Sequence, residues 1–123
     1  MKIRSHKDLD VYKLAFELAM KVFHISGTFP TDEKYSLTDQ MRRSSRSVCA
    51  NIGEAFRKRR HEKSFIAKLN DAEGEAAETQ VWIEFAHANG YLWQEKANDI
   101  CTAYDDVIGK LVTMSKQAEK WSL

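Results

Sequence analysis

Positive charge is concentrated in one stretch of this sequence. Residues 42–63 carry eight basic side chains against two acidic ones, a local charge of +6 in a chain whose formal net charge is only +1. Guanidinium groups form paired hydrogen bonds with phosphate oxygens, and released counterions add to the affinity for a polyanion. The candidate nucleic-acid-binding residues are Arg42, Arg43, Arg46, Arg57, Lys58, Arg59, Arg60 and Lys63.

A compensating acidic stretch follows. Residues 71–106 hold nine acidic side chains and one lysine, a local charge of −8. On a helix, Asp71, Glu75 and Glu78 fall in one stripe. The basic residues therefore have two interpretations that the sequence leaves open: they contact phosphates, or they pair with the acidic stripe of another helix or subunit. No aromatic residue lies within the arginine stripe, so base stacking is not indicated.

Catalytic and metal-binding patterns are weak. Glu84 and His87 have the Glu-x-x-His spacing of di-iron helical bundles, but such sites need a second copy of this motif and two further glutamates. Cys49 and Cys101 are expected to be buried small apolar residues rather than nucleophiles. We predict no catalytic residue, no metal and no cofactor. A metal-dependent enzyme would need bound metal that is lost on Glu84→Ala.

Helical periodicity runs through the whole chain, and no segment shows the alternation of a strand. Apolar residues recur every three or four positions in four segments, separated by Gly27 with Pro30, by the residues near 60, and by Asn89-Gly90. We predict one all-α domain over residues 1–123, an up-down-up-down four-helix bundle with helices at about 8–26, 37–59, 61–89 and 93–121.

The second helix would align part of the positive charge. If it continues unbroken to residue 60, then Arg42, Arg46, Arg57 and Arg60 lie within about 60° of one another, in a stripe about 27 Å long. This stripe would lie away from the predicted core face of the helix.

Two apolar surfaces predict self-association. The first helix has two apolar seams, one through Val11 and Leu18 and the other through Phe16 and Phe23, whereas a surface helix needs only one. Trp82 and Phe85 lie roughly 100° from the core seam of the third helix. Large aromatic residues so far from a core suggest a covered face, so Trp82 and Phe85 are the predicted oligomer interface.

The segment 47–55, Ser-Val-Cys-Ala-Asn-Ile-Gly-Glu-Ala, follows Gln40-Met41-Arg42-Arg43 and precedes the turn Ala88-Asn89-Gly90-Tyr91-Leu92. Together these residues resemble the four-helix-bundle proteins encoded in intervening sequences of bacterial 23S ribosomal RNA genes. That family is similar in fold to the accessory protein of diversity-generating retroelements, a basic protein that binds nucleic acid and partners a reverse transcriptase.

This resemblance implies a homopentamer without enzymatic activity and with RNA as a candidate partner. It assigns Arg42, Arg43 and Asn51 to the family motif, whereas the residues from Arg57 to Lys63 are candidates through charge alone. For Asn51 we expect a hydrogen bond to a neighbouring helix or to its own preceding turn, and for Glu54 an ion pair with Lys58.

We therefore predict a cytoplasmic, non-catalytic homo-oligomer that binds structured RNA and has no membrane partner, and the resemblance implies that this oligomer is a pentamer. No apolar stretch approaches the roughly 18–20 residues that span a bilayer. The alternative is a protein-interaction or assembly module, for example one like a reverse-transcriptase accessory protein, whose basic strip meets an acidic protein surface.

Overall fold

The computed structural model describes residues 3–122 and contains four long helices. They are α1 (Asp10–Ser26), α2 (Leu37–Arg57), α3 (Glu62–Ala88) and α4 (Gln94–Lys116). A short helix, α5 (Ala118–Trp121), follows α4, and 3₁₀ turns occupy His6–Asp8 and Thr31–Glu33. The predicted all-helical class is confirmed, and the four long helices form a bundle in which each runs antiparallel to the next.

Two predicted helices end earlier than expected. The second ends at Arg57 because the chain turns at Lys58, where φ is −95° and ψ is 16°. Arg60 therefore lies in the turn, and the prediction of one continuous arginine stripe along a single helix was wrong. The fourth helix ends at Lys116, since Gln117 leaves the helical region with φ −110° and ψ 28° before α5 begins.

The core lies between the four helices. One seam of α1, including Ala15, Leu18 and Val22, is fully buried against the other helices. Tyr104 and Leu111 of α4 are completely buried. Helical spacing predicts one core seam along α3, and all of its residues are buried: Phe65, Leu69, Ala72, Ala76, Thr79, Ile83 and Ala86. These positions recur every three or four residues, as expected for helices that each bury one stripe.

Small polar residues bring α2 and α3 together. Ser44 and Thr79 are both fully buried, and their hydroxyl oxygens are 2.7 Å apart. The Thr79 hydroxyl also lies 2.9 Å from the carbonyl oxygen of Glu75 in its own helix. The Ser44 hydroxyl likewise lies 3.3 Å from the Met41 carbonyl oxygen in its own helix. The bond between the two hydroxyl groups favours this register of the helix pair, because a slip would break it.

Hydrogen bonds also stabilise the two loops at the end of the bundle opposite residues 57–61. Gly90 has φ +82°, and the amides of Gly90 and Tyr91 donate to the carbonyls of His87 and Ala86. This is the Schellman pattern that the Asn89-Gly90 pair predicts. The Tyr91 hydroxyl donates to Glu33 at 2.8 Å, which ties the loop between α1 and α2 to the turn between α3 and α4.

Candidate nucleic-acid interface

The eight predicted basic residues divide into two groups according to their contacts. Arg42, Arg43 and Arg59 are held by other parts of the chain. Arg46, Arg57, Lys58, Arg60 and Lys63 are exposed, and none of them forms an ion pair with any residue in the range 3–122. This division decides which side chains are available to an external phosphate.

Arg42 fastens α2 to the end of α1. Its Nε donates to the buried Ser26 hydroxyl at 2.9 Å, and its Nη2 donates to the Phe23 carbonyl at 3.1 Å. The guanidinium carbon also lies 4.4 Å from the centre of the Phe23 ring. A cation at the C-terminus of a helix is favourable because the last carbonyls carry partial negative charge. Arg42 therefore stabilises the end of α1.

Arg43 joins α2 to the acidic stripe of α3. Its Nη1 donates to Glu75 at 2.8 Å, and its Nη2 forms a second ion pair with Glu78. Both carboxylates raise the pKa of the guanidinium, which is about half exposed. The pairing of basic and acidic stripes, one of the two interpretations open at the sequence level, is thus realised inside the subunit for this arginine.

Arg59 closes the turn after α2. Its Nε donates to the Phe56 carbonyl at 2.8 Å, and its guanidinium carbon lies 3.6 Å from the Phe56 ring centre. Burial lowers the pKa of this half-buried side chain. With Arg59 folded back on Phe56, its neighbours Lys58 and Arg60 are left exposed.

The N-terminal segment adds a cation that the sequence did not suggest. The Asp8 carboxylate accepts the backbone amides of Arg4 and Ser5 at 2.9 and 3.0 Å, and these bonds lower the pKa of Asp8. The Ser5 hydroxyl caps the same 3₁₀ turn. The turn packs on α2, so Arg4 lines one cavity with Arg57 and Arg60. A Ser-x-x-Asp capping pattern was the available signal for this ordered turn.

We call this surface the basic end. It comprises the turn 57–61 together with Arg4, and it surrounds a cavity of about 340 Å³. Lys63 is exposed on the first turn of α3, directly after it. Arg46 is on α2, about 16 Å from Arg57 along the helix, from eleven steps at the helical rise. The basic end therefore gathers most of the unpaired predicted cations.

The aromatic residues predicted at an oligomer interface lie on α3. Trp82 is half buried and its indole donates to Glu78 at 3.1 Å, whereas Phe85 is 52% exposed. Their ring centres are 6.0 Å apart. On α1, the seam facing away from the core exposes Phe16, Met20 and Phe23. Two apolar surfaces are thus uncovered on the single chain.

The other residues considered from the sequence form contacts within the subunit. Asn51 donates to the Ser47 carbonyl at 2.9 Å, so the expected bond to its own preceding turn is confirmed. The expected Glu54–Lys58 pair was wrong, because Glu54 instead pairs with Lys68 of α3 at 2.8 Å.

His87 Nδ1 lies 2.9 Å from the Leu92 carbonyl in the α3–α4 turn. Burial raises the pKa of Cys49 to about 11, which keeps this thiol protonated at neutral pH.

Within the part of the chain that the structure describes, no group of three or more His, Cys, Asp or Glu side chains is placed to hold a metal ion. None of the described helices combines the length and the apolar character needed to cross a membrane.

Residues 7–113 match the family model described as "23S rRNA-intervening sequence protein". The chain belongs to this family. A similar solved structure is a protein of unknown function from the S23 ribosomal protein family of Bacteroides thetaiotaomicron, which is 28% identical, with a TM-score of 0.78. The match covers 86% of this chain and 95% of that one. No curated protein matches the chain significantly.

The division of the arginines gives a stability prediction. Arg42→Ala removes two hydrogen bonds from a charged donor and leaves the Phe23 carbonyl without this partner, so we expect a loss of about 1.5–3 kcal/mol in the free energy of unfolding. Arg60→Ala removes an exposed, unpaired side chain and should change it by less than about 0.5 kcal/mol. Urea denaturation followed by circular dichroism measures both. Equal losses would contradict the structural assignment of Arg42.

Proposed function

We propose that this protein is a non-catalytic nucleic-acid-binding protein that contacts the phosphates of structured RNA through the basic end. The observation that carries this proposal is the convergence of Arg4, Arg57, Lys58 and Arg60 on one exposed cavity without carboxylate partners in the described chain. Unpaired cations that face one another repel, and a bound polyanion relieves that repulsion.

The chemistry of the basic end suits a polyanion with several phosphates better than a single carboxylate. Guanidinium forks bind phosphate oxygens in pairs, and each neutralised phosphate releases condensed counterions. A local cluster of cations can bind phosphates in this way although the net charge of the chain is only +1. The family description, which connects these proteins with intervening sequences of 23S rRNA, is consistent with an RNA partner.

The proposed contact surface is narrower than the sequence suggested. Arg42 and Arg43 already have partners within the subunit, and a phosphate would have to break those bonds before it could bind. Arg46 and Lys63 stay in the proposal as outlying contacts on α2 and α3. Arg59 is proposed to position Lys58 and Arg60 in the turn rather than to bind phosphate itself.

We further propose that the protein forms a homo-oligomer, for which the family resemblance implies five subunits. The exposed residues Phe16, Met20 and Phe23 of α1 and Phe85 of α3 are the surfaces that subunit contacts would remove from water. Several copies of the basic end in one assembly would bind one RNA through many weak contacts, which raises the overall affinity.

A second candidate function is an assembly module whose basic end meets an acidic protein surface. The observation in its favour is an open cavity of about 920 Å³ between α1 and α4. Its lining is acidic overall, because Asp8, Asp10, Asp105 and Asp106 outnumber Lys110, the one basic residue there, and apolar residues complete it. A second copy could place its basic end there, in a heterologous contact between two different surfaces.

Charge reversal separates these two functions. For the triple variant Arg57→Glu, Lys58→Glu, Arg60→Glu we expect RNA retention to be lost at low salt while the assembly keeps its mass. In the wild type, the logarithm of affinity should fall linearly with the logarithm of salt concentration, by about one unit of slope per phosphate contacted. Filter binding over a salt series and sedimentation velocity measure the two properties.

The matched control is Lys34→Glu, Lys96→Glu, Lys116→Glu, which changes the charge by the same amount at exposed positions elsewhere. It should retain most of the binding. Dissociation of the Arg57, Lys58 and Arg60 triple variant would support the assembly module, and equal loss in both variants would show that only bulk charge matters.

The oligomer proposal has its own test. Phe16→Glu and Phe85→Glu each place a charge on an exposed apolar surface, so at least one should dissociate the assembly without unfolding the subunit. Sedimentation velocity gives the mass and circular dichroism gives the helix content. Glu17→Gln, at an exposed position beside Phe16, is the control that should leave the mass unchanged. A wild-type chain that sediments as a monomer would contradict the proposal.

A further inference from the structure

A second cavity, of about 570 Å³, opens beside the basic end between the start of α1 and the last turns of α2. We call it the α1–α2 cleft. Its lining includes His6 and Tyr12 from the N-terminal part of the chain, and Cys49, Gly53, Phe56 and Arg57 from α2. More of the accessible lining is apolar than polar, in contrast to the neighbouring cavity at the basic end.

Two rings form one wall of the cleft. The centres of the His6 and Tyr12 rings are 4.7 Å apart, with an angle of 76° between their planes. Both side chains are half buried, so each keeps part of its surface accessible. A flat π system bound here would contact the face of one ring and the edge of the other, which is a favourable geometry for aromatic groups.

The cleft reaches the backbone of α2 at Gly53, because glycine has no side chain to fill this space. A Cβ atom at this position would lie 3.8 Å from the His6 ring, at ordinary van der Waals distance. Any larger side chain would therefore extend into the space between α2 and the His6 ring. Glu54, also at the edge of the cleft, is paired with Lys68.

The cleft and the basic end are continuous. Arg4, Phe56 and Arg57 line both cavities, so the aromatic wall stands next to Lys58 and Arg60. A nucleotide has the same two parts side by side, a flat aromatic base and a charged phosphate. The order of surfaces across this end of the bundle thus matches the order of groups in one nucleotide.

We propose that the α1–α2 cleft binds the base of an unpaired nucleotide while the adjoining phosphates lie on Arg4 and Arg57. This deepens, and rests on, the proposed binding of nucleic acid at the basic end. A base inside a duplex is stacked and paired, and reaching the cleft would cost its unstacking. The site therefore selects loops, bulges or single-stranded ends, where RNA offers its bases to aromatic side chains.

The proposed occupant also fits the position of the cleft relative to the other surfaces. Tyr12 lies about one turn before Phe16, the first exposed aromatic residue on the outer seam of α1. Subunit contacts through Phe16, Met20 and Phe23 would extend from there toward the opposite end of the bundle. The cleft opens instead toward the basic end.

The test compares two probes on the full chain: a single-stranded RNA 12-mer and an oligomer of the same length whose riboses all lack bases. We expect the wild type to bind the base-bearing oligomer about tenfold more tightly, as one stacked base would provide. Gly53→Leu should abolish this preference and leave binding of the abasic oligomer unchanged, because the cations remain.

Gly74→Leu is the matched control, since a Cβ atom there meets nothing within 4 Å and lies on α3. It should keep the tenfold preference. Tyr12→Leu, which removes the ring and keeps an apolar side chain, should lose the preference as Gly53→Leu does, and it carries the test if Gly53→Leu does not fold. Equal affinity of the wild type for both oligomers would overturn the proposal that the cleft binds a base, and the proposal that the basic end binds phosphates would remain. Failure to bind either oligomer at low salt would overturn the proposal for the cleft, and failure to retain structured RNA as well would overturn both proposals.

Discussion

The close antiparallel packing of α2 against α3 is the contact on which the rest of the structure depends. The fully buried hydroxyl groups of Ser44 and Thr79 meet in its centre, and Arg43 pairs with Glu75 and Glu78 beside them. These polar contacts all form together in one register of the two helices, and that register is therefore favoured. That register places the tight turn 58–61 at the end of the bundle.

The same packing decides the use of the basic residues. The arginine–glutamate network between α2 and α3 engages the guanidinium of Arg43, and the end of α1 engages that of Arg42. The turn exposes the cations that follow, and Arg59 folds back on Phe56 to hold it closed. The capped turn at His6–Asp8 then brings Arg4 and His6 to the same surface. The contacts within the subunit, rather than position in the sequence, thus separate the structural cations from the exposed ones: Arg59 is held on Phe56 between the exposed Lys58 and Arg60.

Much of the fold could be predicted from the sequence because buried positions recur with helical spacing. Ala15 and Leu18 in α1 and the whole seam of α3 follow that rule, and the Asn89-Gly90 pair marks a positive φ. The end of α2 could not be predicted, since Lys58 and Arg59 have good helix propensity and the turn depends on tertiary packing. The site was only partly predictable for a related reason. Charge shows which residues are cationic, but their partners, such as Ser26 for Arg42, lie elsewhere in the chain.

The aromatic wall beside the basic end illustrates the same limit. The arginine stripe of α2 contains no aromatic residue, whereas the fold supplies His6 and Tyr12 from a segment at least thirty residues away in sequence. Only the antiparallel arrangement of α1 and α2 joins them. A site whose residues come from two helices cannot be recognised from the residue spacing within either helix.

The most direct measurement is photo-crosslinking of the intact protein to single-stranded RNA that carries 4-thiouridine, with the crosslinked peptides identified by mass spectrometry. If the basic end and its cleft hold the RNA, the crosslinks fall within residues 4–12 and 53–61. Crosslinks concentrated on residues 75–85 of α3 or on α4, with none at the turn between α2 and α3, would contradict this placement.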